Sequence, residues 1–245
     1  MPPLNVVLLV LLLSANAFGQ AVKSDSSFVR AARDQAVLAY ERATRQQAHV
    51  FDGNEYIAHN FRIQGYPFYP VDSLQTGTVT YNGVHYSNLR MQYDVVRDEL
   101  AIKPAQSGFR VRLRNELITA FSINTDRFVR FVSPDDGGNA VGLATGFYEM
   151  LYDGKTQVVS RRIKTINEDV SSGTYKANYV QKDRFYVLKD GAYHDVKSKR
   201  AVLGLFDGQT RELRKYIRAN NLPFKGEQHG LSIARLAQRY DELTR

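Results

Sequence analysis

Asp94, Asp98 and Glu99 form the densest group of acids in the middle of the chain. Two carboxylates held close together can share acid and base roles, one keeping its proton while the other gives it up. Their surroundings favour a plainer reading. Asp98 falls where a turn is expected, and aspartate is common in turns because its side chain bonds the nearby backbone. Asp94 alternates onto the polar face of an expected strand. The five histidines are His49, His59, His85, His194 and His229. None stands at the i, i+4 spacing that puts two ligands on one helix face, and no HExxH occurs. A metal site would have to be assembled from distant positions, and surface or sheet-tip histidines are the commoner case. Ser133-Pro134-Asp135-Asp136-Gly137-Gly138-Asn139 has the composition of a calcium loop but lacks the terminal glutamate of an EF-hand, so it reads as an irregular, mobile loop. With no cysteine in the chain, thiol chemistry is excluded. No Gly-x-Ser-x-Gly elbow and no glycine-rich phosphate cradle is present. These readings assign no catalytic residue, no metal ligand and no cofactor.

The cations are more informative. Residues 155–245 carry 19 basic and 10 acidic side chains, against 14 and 15 in residues 20–154, so the whole excess of the +8 chain lies in its C-terminal part. Arg161, Arg162 and Lys164 fall on an expected strand. Arg211, Arg214, Lys215 and Arg218 line about two turns of an expected helix, opposite Leu213 and Ile217. A solvated face explains the second set most simply. As a binding site it suits an acidic headgroup or glycan, because clustered cations attract anionic partners. It is the strongest site candidate that the sequence offers.

These residues need a scaffold, and the middle of the chain specifies one. GTVTYNGVHYSNLRMQYDVVRDELAIK, residues 77–103, places Asn82-Gly83 between two runs of period two, and Asn-Gly accepts the positive φ that a tight hairpin requires. Leu89, Met91, Tyr93 and Val95 share one face; Arg90, Gln92, Asp94 and Val96 share the other. Arg97 and Asp98 make the next turn. Residues 109–114, 117–123, 127–132, 147–152, 157–166, 184–189 and 192–196 extend the pattern, with further hairpin signals at Asp153-Gly154 and Asp190-Gly191. Residues 55–63 also have strand composition. The prolines of Gly65-Tyr66-Pro67-Phe68-Tyr69-Pro70 forbid a central strand there.

Helical spacing appears at both ends. Residues 26–48 gather Val29, Ala32, Ala36, Leu38 and Tyr40 loosely on one side, with Ser26 or Ser27 as a cap. In the final quarter, Ser198 caps 199–206, Thr210 caps 211–220, and 231–243 makes a last helix with Leu231, Ala234, Leu236 and Tyr240 as contacts. A meander with one apolar face needs a cover. The expected fold is therefore α+β: an antiparallel β-meander, forming an open half-barrel or curved sheet, with an N-terminal helix and C-terminal helices packed on it. The expected divisions are 1–19, 20–50, 51–197 and 198–245.

Residues 1–19 read as a signal peptide. An unbroken apolar run from Val6 to Leu13 is followed by small residues that suit cleavage after Ala17 or Gly19. The run is shorter than the ~20 residues that a membrane span needs, and no later segment reaches that length. Without a cysteine at the cleavage point the protein is not a lipoprotein, so it is expected to be soluble and periplasmic or secreted. Export also separates it from nucleic acid.

FDGNEYIAHNFRIQGYPFYPVDS, GTVTYNGVHYSNLRMQYDVVRDEL, GFYEMLYDGK and DRFYVLKDGAYHDVKSKRAVLGLFDGQTRELRKYIRANNL, in that order, resemble an uncharacterised exported family common in Bacteroidota. The resemblance covers roughly residues 50–222. It implies export through a signal peptide and carries no activity, cofactor or catalytic residue. The leading expectation is a non-catalytic envelope protein that binds or scaffolds an anionic or amphiphilic component. A second is a carrier holding an apolar or amphiphilic ligand in a half-barrel cavity lined by Met91, Phe121, Phe128, Phe131, Phe147 and Tyr148, residues that serve equally as core. A third is a hydrolase whose residues assemble from separate strands, with Asp94 as the residue to test.

Overall fold

The computed structural model describes residues 29–36, 49–105, 107–171 and 173–244. The chain divides into two units, 1–47 and 48–245. In the first, residues 29–36 form helix α1, and its side chains are exposed, including Val29, Ala32 and Ala36 of the expected contact side. Leu38, Tyr40, the capping serines and the whole export segment with Ala17 and Gly19 lie outside the described residues.

The second unit is an α+β domain built on one open antiparallel sheet. In chain order its strands are β1 (Asn54–Glu55), β3 (Phe68–Tyr69), β4 (Gln75–Tyr81), β5 (Val84–Asp94), β6 (Glu99–Lys103), β7 (Val111–Arg112), β8 (Ile118–Ile123), β9 (Asp126–Phe131), β10 (Gly146–Tyr152), β11 (Val158–Arg161), β14 (Arg184–Lys189) and β15 (Ala192–Asp195). They run β1-β7-β6-β5-β4-β8-β9-β10-β11-β14-β15, with β3 added beside β5. Three further strands, β2 (Ile63–Gln64), β12 (Lys164–Asp169) and β13 (Lys176–Gln181), make a small sheet.

Two of the Asx-Gly signals form the expected turns. Asn82 and Gly83 have φ of 49° and 78°, and Asp190 and Gly191 have 51° and 81°. Asn and Gly tolerate this left-handed region, whose twist matches that of the flanking strands. Asp153-Gly154 behaves differently: neither residue has positive φ, and a register shift at the end of β10 leads into a longer connection, 153–157.

The topology departs from a simple meander. β5, β6 and β7 are laid down on one side of β4. The chain then returns through the 3₁₀ turn Asn115–Leu117 and pairs β8 along the other side. The Asn82 amide donates to the Leu117 carbonyl at 2.7 Å and ties this return to the first hairpin. Residues 109–114 contribute only the two-residue β7. Residues 157–166 split between β11 and β12, where the chain leaves the main sheet. β13, which period two did not single out, pairs antiparallel with β12 and parallel with β2.

The sheet curls on its inner face. The Tyr93 ring on β5 meets Phe121, Phe128 and Phe147 at centroid distances of 5.1, 5.2 and 6.1 Å, although β4, β8 and β9 separate β5 from β10. Phe121 and Phe128 stack at 4.7 Å. Aromatic pairs of this kind add about 0.5–1.5 kcal/mol each beyond simple burial. The C-terminal helices do not roof this part. α2 (Lys199–Leu205), α3 (Thr210–Ala219) and α4 (His229–Leu243) pack Phe206, Leu213, Ile233 and Leu236 over Val158, Val187, Leu151 and Phe185, so they cover the β10-β11-β14 end. The apolar face of the β10-β11-β14 end is buried by this helical layer.

Ser198 caps α2, accepting from the Ala201 amide. α3 begins at Thr210 itself, with Gln209 at the N-cap, and the Thr210 hydroxyl bonds the Leu203 carbonyl instead. Leu231 is exposed, whereas Ile233, Ala234, Leu236 and Ala237 face inward. Among the described residues no helix is long and apolar enough to cross a membrane.

Candidate functional site

Asp94 is fully buried. Alternation places it opposite Tyr93, as expected, but that face is not wet. β3 pairs beside the end of β5, opposing Phe68 to Asp94, and the preceding segment lies over them. Residues 56–62, which composition reads as strand, are mostly irregular. Asn60 accepts from the Arg62 amide through its side chain, and its carbonyl accepts from Ile63, so the segment turns back. Asparagine in this role is a turn signal that was available in the sequence.

The turn delivers two side chains to Asp94. Oδ2 accepts from the Tyr56 hydroxyl at 2.9 Å and faces His59 Nε2 at 2.7 Å. Oδ1 accepts from the amides of Val96 and Arg97 at 2.9 and 3.1 Å, closing the turn into β6. Burial, then the neighbouring Asp94 charge, pushes the Tyr56 hydroxyl far above its ordinary range, so it stays protonated as a donor. The His59 ring also meets the edge of Tyr179 from β13 at 5.7 Å.

Beside this cluster lies Arg110. Its guanidinium sits over the rings of Tyr56 (4.5 Å) and Phe68 (5.2 Å), and it donates to Gln92 Oε1 at 2.5 Å. It lines two clefts. One, of about 630 Å³, reaches towards Lys103 and Phe109; the other, of about 350 Å³, reaches towards His59, Phe61 and Tyr179. Ala58, Asp72, Gln92 and Arg110 belong to both.

The other two acids of the cluster part company with Asp94. Asp98, at φ 58°, accepts from the Tyr93 hydroxyl at 2.5 Å and lies 3.5 Å from Arg161 across the curl. Burial raises its pKa, against the pull of Tyr93 and Arg161. Glu99 pairs with Arg112 at 2.7 Å. The three cations expected on one strand are each held internally at the exit to the small sheet. Arg162 bridges the buried Glu149 and Asp183, both at 2.5 Å, and Lys164 donates to the carbonyls of Tyr66 and Phe68 at 3.0 and 2.8 Å. Ser133-Pro134-Asp135-Asp136-Gly137 forms a capped 3₁₀ turn; the Ser133 hydroxyl accepts from the Asp135 amide. Among the described residues no three His, Asp or Glu side chains group as a metal site. His85 and His194 lie at sheet tips, and His229 packs between Phe185 and Phe224.

The aromatic set proposed as a cavity lining does not share one space. Met91, Phe121, Phe128 and Phe147 pack together on the inner face, and Phe131 and Tyr148 belong to a second cluster. Phe147 and Tyr148 are adjacent on β10 and so point to opposite faces.

The basic helix set divides as well. A groove of about 530 Å³ between α2 and α3 is lined by Arg214 and Arg218 of α3, together with Lys199 and Arg200 of α2. Leu203 and Ile217 contribute its apolar floor, and Asp207 and Thr210 line it too. Among the described residues none of these four cations is ion-paired. Lys215 pairs with Glu212 at 2.9 Å, and neither Arg211 nor Lys215 lines the groove. Helical spacing identified Arg214 and Arg218; Lys199 and Arg200 join them only through the packing of α2 against α3.

The fold defines the class as an open, curled antiparallel sheet with helices over one end. No protein-family model, curated protein or solved structure matches the chain.

Proposed function

We propose that this protein is an exported, non-catalytic binding protein that holds an anionic amphiphile of the cell envelope in the groove between α2 and α3. The observation that carries this reading is the convergence of Lys199, Arg200, Arg214 and Arg218 on one groove without ion-pair partners among the described residues. Free cations over an apolar floor offer a headgroup site and a place for the first carbons of a chain. The concentration of positive charge in residues 155–245 extends the attraction beyond the groove. Export through residues 1–19, with the mature protein periplasmic or secreted, places it beside such partners.

Co-sedimentation with phosphatidylglycerol vesicles tests the proposal, with phosphatidylcholine vesicles as the control. Each cation near an anionic surface contributes about 1 kcal/mol, so Arg214→Gln with Arg218→Gln should weaken binding by about thirtyfold, and salt should weaken it further. Absence of binding to the anionic vesicles, or binding that the double variant leaves unchanged, overturns the reading.

A further inference from the structure

Beside β5, away from the strands that the helices cover, lie two clefts that share no lining residue with the groove. The two clefts beside β5 share Ala58, Asp72, Gln92 and Arg110, so they adjoin, and the trough they outline has Arg110 on its shared wall. Three features of this trough belong together.

First, Arg110 is pre-positioned and under-used. Two aromatic rings and Gln92 fix its guanidinium plane, yet its only hydrogen bond among the described residues is the one to Gln92. The remaining N–H groups form a fork suited to a carboxylate, and a guanidinium already held in place loses little freedom on binding. Second, His59 is held the same way. Asp94 takes Nε2, Tyr179 takes the ring edge, and Nδ1 has no partner among the described residues. A ligand hydroxyl can bond this second ring nitrogen, as donor or as acceptor according to the tautomer. Third, the trough carries free charges of both signs. Lys103 has no ion pair among the described residues, and neither do Glu55 and Asp72.

This combination selects among ligand classes. A phosphate polymer would meet Glu55 and Asp72 with repulsion and has no hydroxyls to offset it. An acyl chain would leave every polar group of the trough unpaired, at a cost of about 1–3 kcal/mol for each one buried. A chain of sugar acids satisfies both signs: its carboxylates face Arg110 and Lys103, and its hydroxyls donate to the acids and bond His59. Its flat C–H faces suit the rings at the rim, where Phe61 is 91% exposed and Phe109 51% exposed. The adjoining clefts, of about 630 and 350 Å³, have room for more than one linked residue. We infer that the trough centred on Arg110 binds an oligosaccharide of uronic acids.

The test is calorimetric titration of the full chain with trigalacturonate and with the methyl ester of the same trisaccharide. The acid should bind, and the ester, which keeps every hydroxyl and loses every charge, should bind at least about tenfold more weakly. Arg110→Gln should lose about tenfold or more. Because Arg110 also packs on two rings, the exposed Lys103→Ala and Phe61→Ala provide a check that leaves the core untouched; each should weaken binding severalfold. Arg214→Gln with Arg218→Gln should leave trisaccharide binding intact, which separates this site from the groove. No binding of the acid, equal binding of acid and ester, indifference to the trough variants, or loss in the groove variant would each overturn the assignment.

Discussion

His59 Nε2 stands 2.7 Å from Asp94 Oδ2 although 35 residues separate the two in the chain. Asp94 thereby performs two tasks with one side chain. One oxygen closes the turn between β5 and β6, and the other pins the segment that walls the trough. The plainer reading of Asp94 is thus given a specific form, an organising role at the turn, with His59 held beside it.

Asp94→Ala should therefore be among the most damaging single changes in the domain. It strips four donors of their acceptor in a buried setting, and breaking such a site costs about 3 kcal/mol or more. Tyr56→Phe removes one donor and should cost about 1 kcal/mol. Urea denaturation measures both; an Asp94→Ala variant within 1 kcal/mol of the parent would contradict the role given to it.

Arg162 holds Glu149 and Asp183 together where the chain leaves the main sheet. Burial raises the Glu149 pKa, and the Arg162 guanidinium works against that shift. Arg162→Met leaves two carboxylates without their cation and should cost about 3–5 kcal/mol at neutral pH. The loss should shrink on acidification, as Glu149 takes up a proton. A variant whose deficit is the same at pH 7 and pH 5 would show that the carboxylates are not its source.

Helix α4 is fastened by Asp241, which accepts from the Tyr152 hydroxyl at 3.0 Å and the Thr156 amide at 2.9 Å. Asp241→Ala should destabilise the domain by about 2 kcal/mol and speed amide exchange in α4 more than in β4 or β8. Uniform acceleration across sheet and helix would argue against a local fastening.

His229 stacks on Phe185 at 5.0 Å, and its Nε2 is buried without a partner among the described residues. Burial lowers its pKa below the ordinary histidine value of about 6.5. A depressed histidine binds its proton more weakly folded than unfolded, so its contribution is complete above about pH 6.5 and is lost as pH falls towards the folded value. Thermal midpoints should drop between about pH 7 and pH 5, and His229→Phe should reduce that slope. An unchanged slope would remove His229 from the pH response.

Export is tested by the new N-terminus. Protein recovered from an envelope or culture fraction should begin at Phe18 or Gln20, read by intact mass. An uncleaved chain retained in the cytoplasm would refute the localisation.

Much of the sheet was readable in advance because its signals are local. Asn82-Gly83 and Asp190-Gly191 encode their own turns, and the alternation through Leu89, Met91 and Tyr93 marks the buried inner face. Leu213 and Ile217 likewise define the inner side of α3. The expectation of export, by contrast, rests on the composition of residues 1–19, which lie outside the described residues. What stayed hidden was every feature set by distant partners. Period two marks Asp94 as lying on the polar face, but it cannot say that residues 56–69 will cover that face. Composition makes residues 55–63 a strand, but the pull of Asp94 on Tyr56 and His59 makes most of them a loop. Helical spacing finds Arg214 and Arg218, but not their meeting with Lys199 and Arg200.

Alternation, turns and apolar helix faces are written locally in the chain. How far the sheet curls, what lies over its outer face and which charges are left free emerge only from packing. The difference is one of range. Backbone preference and side-chain period act within a few residues, whereas burial and electrostatic pairing depend on what packs nearby, however far away it lies in the chain.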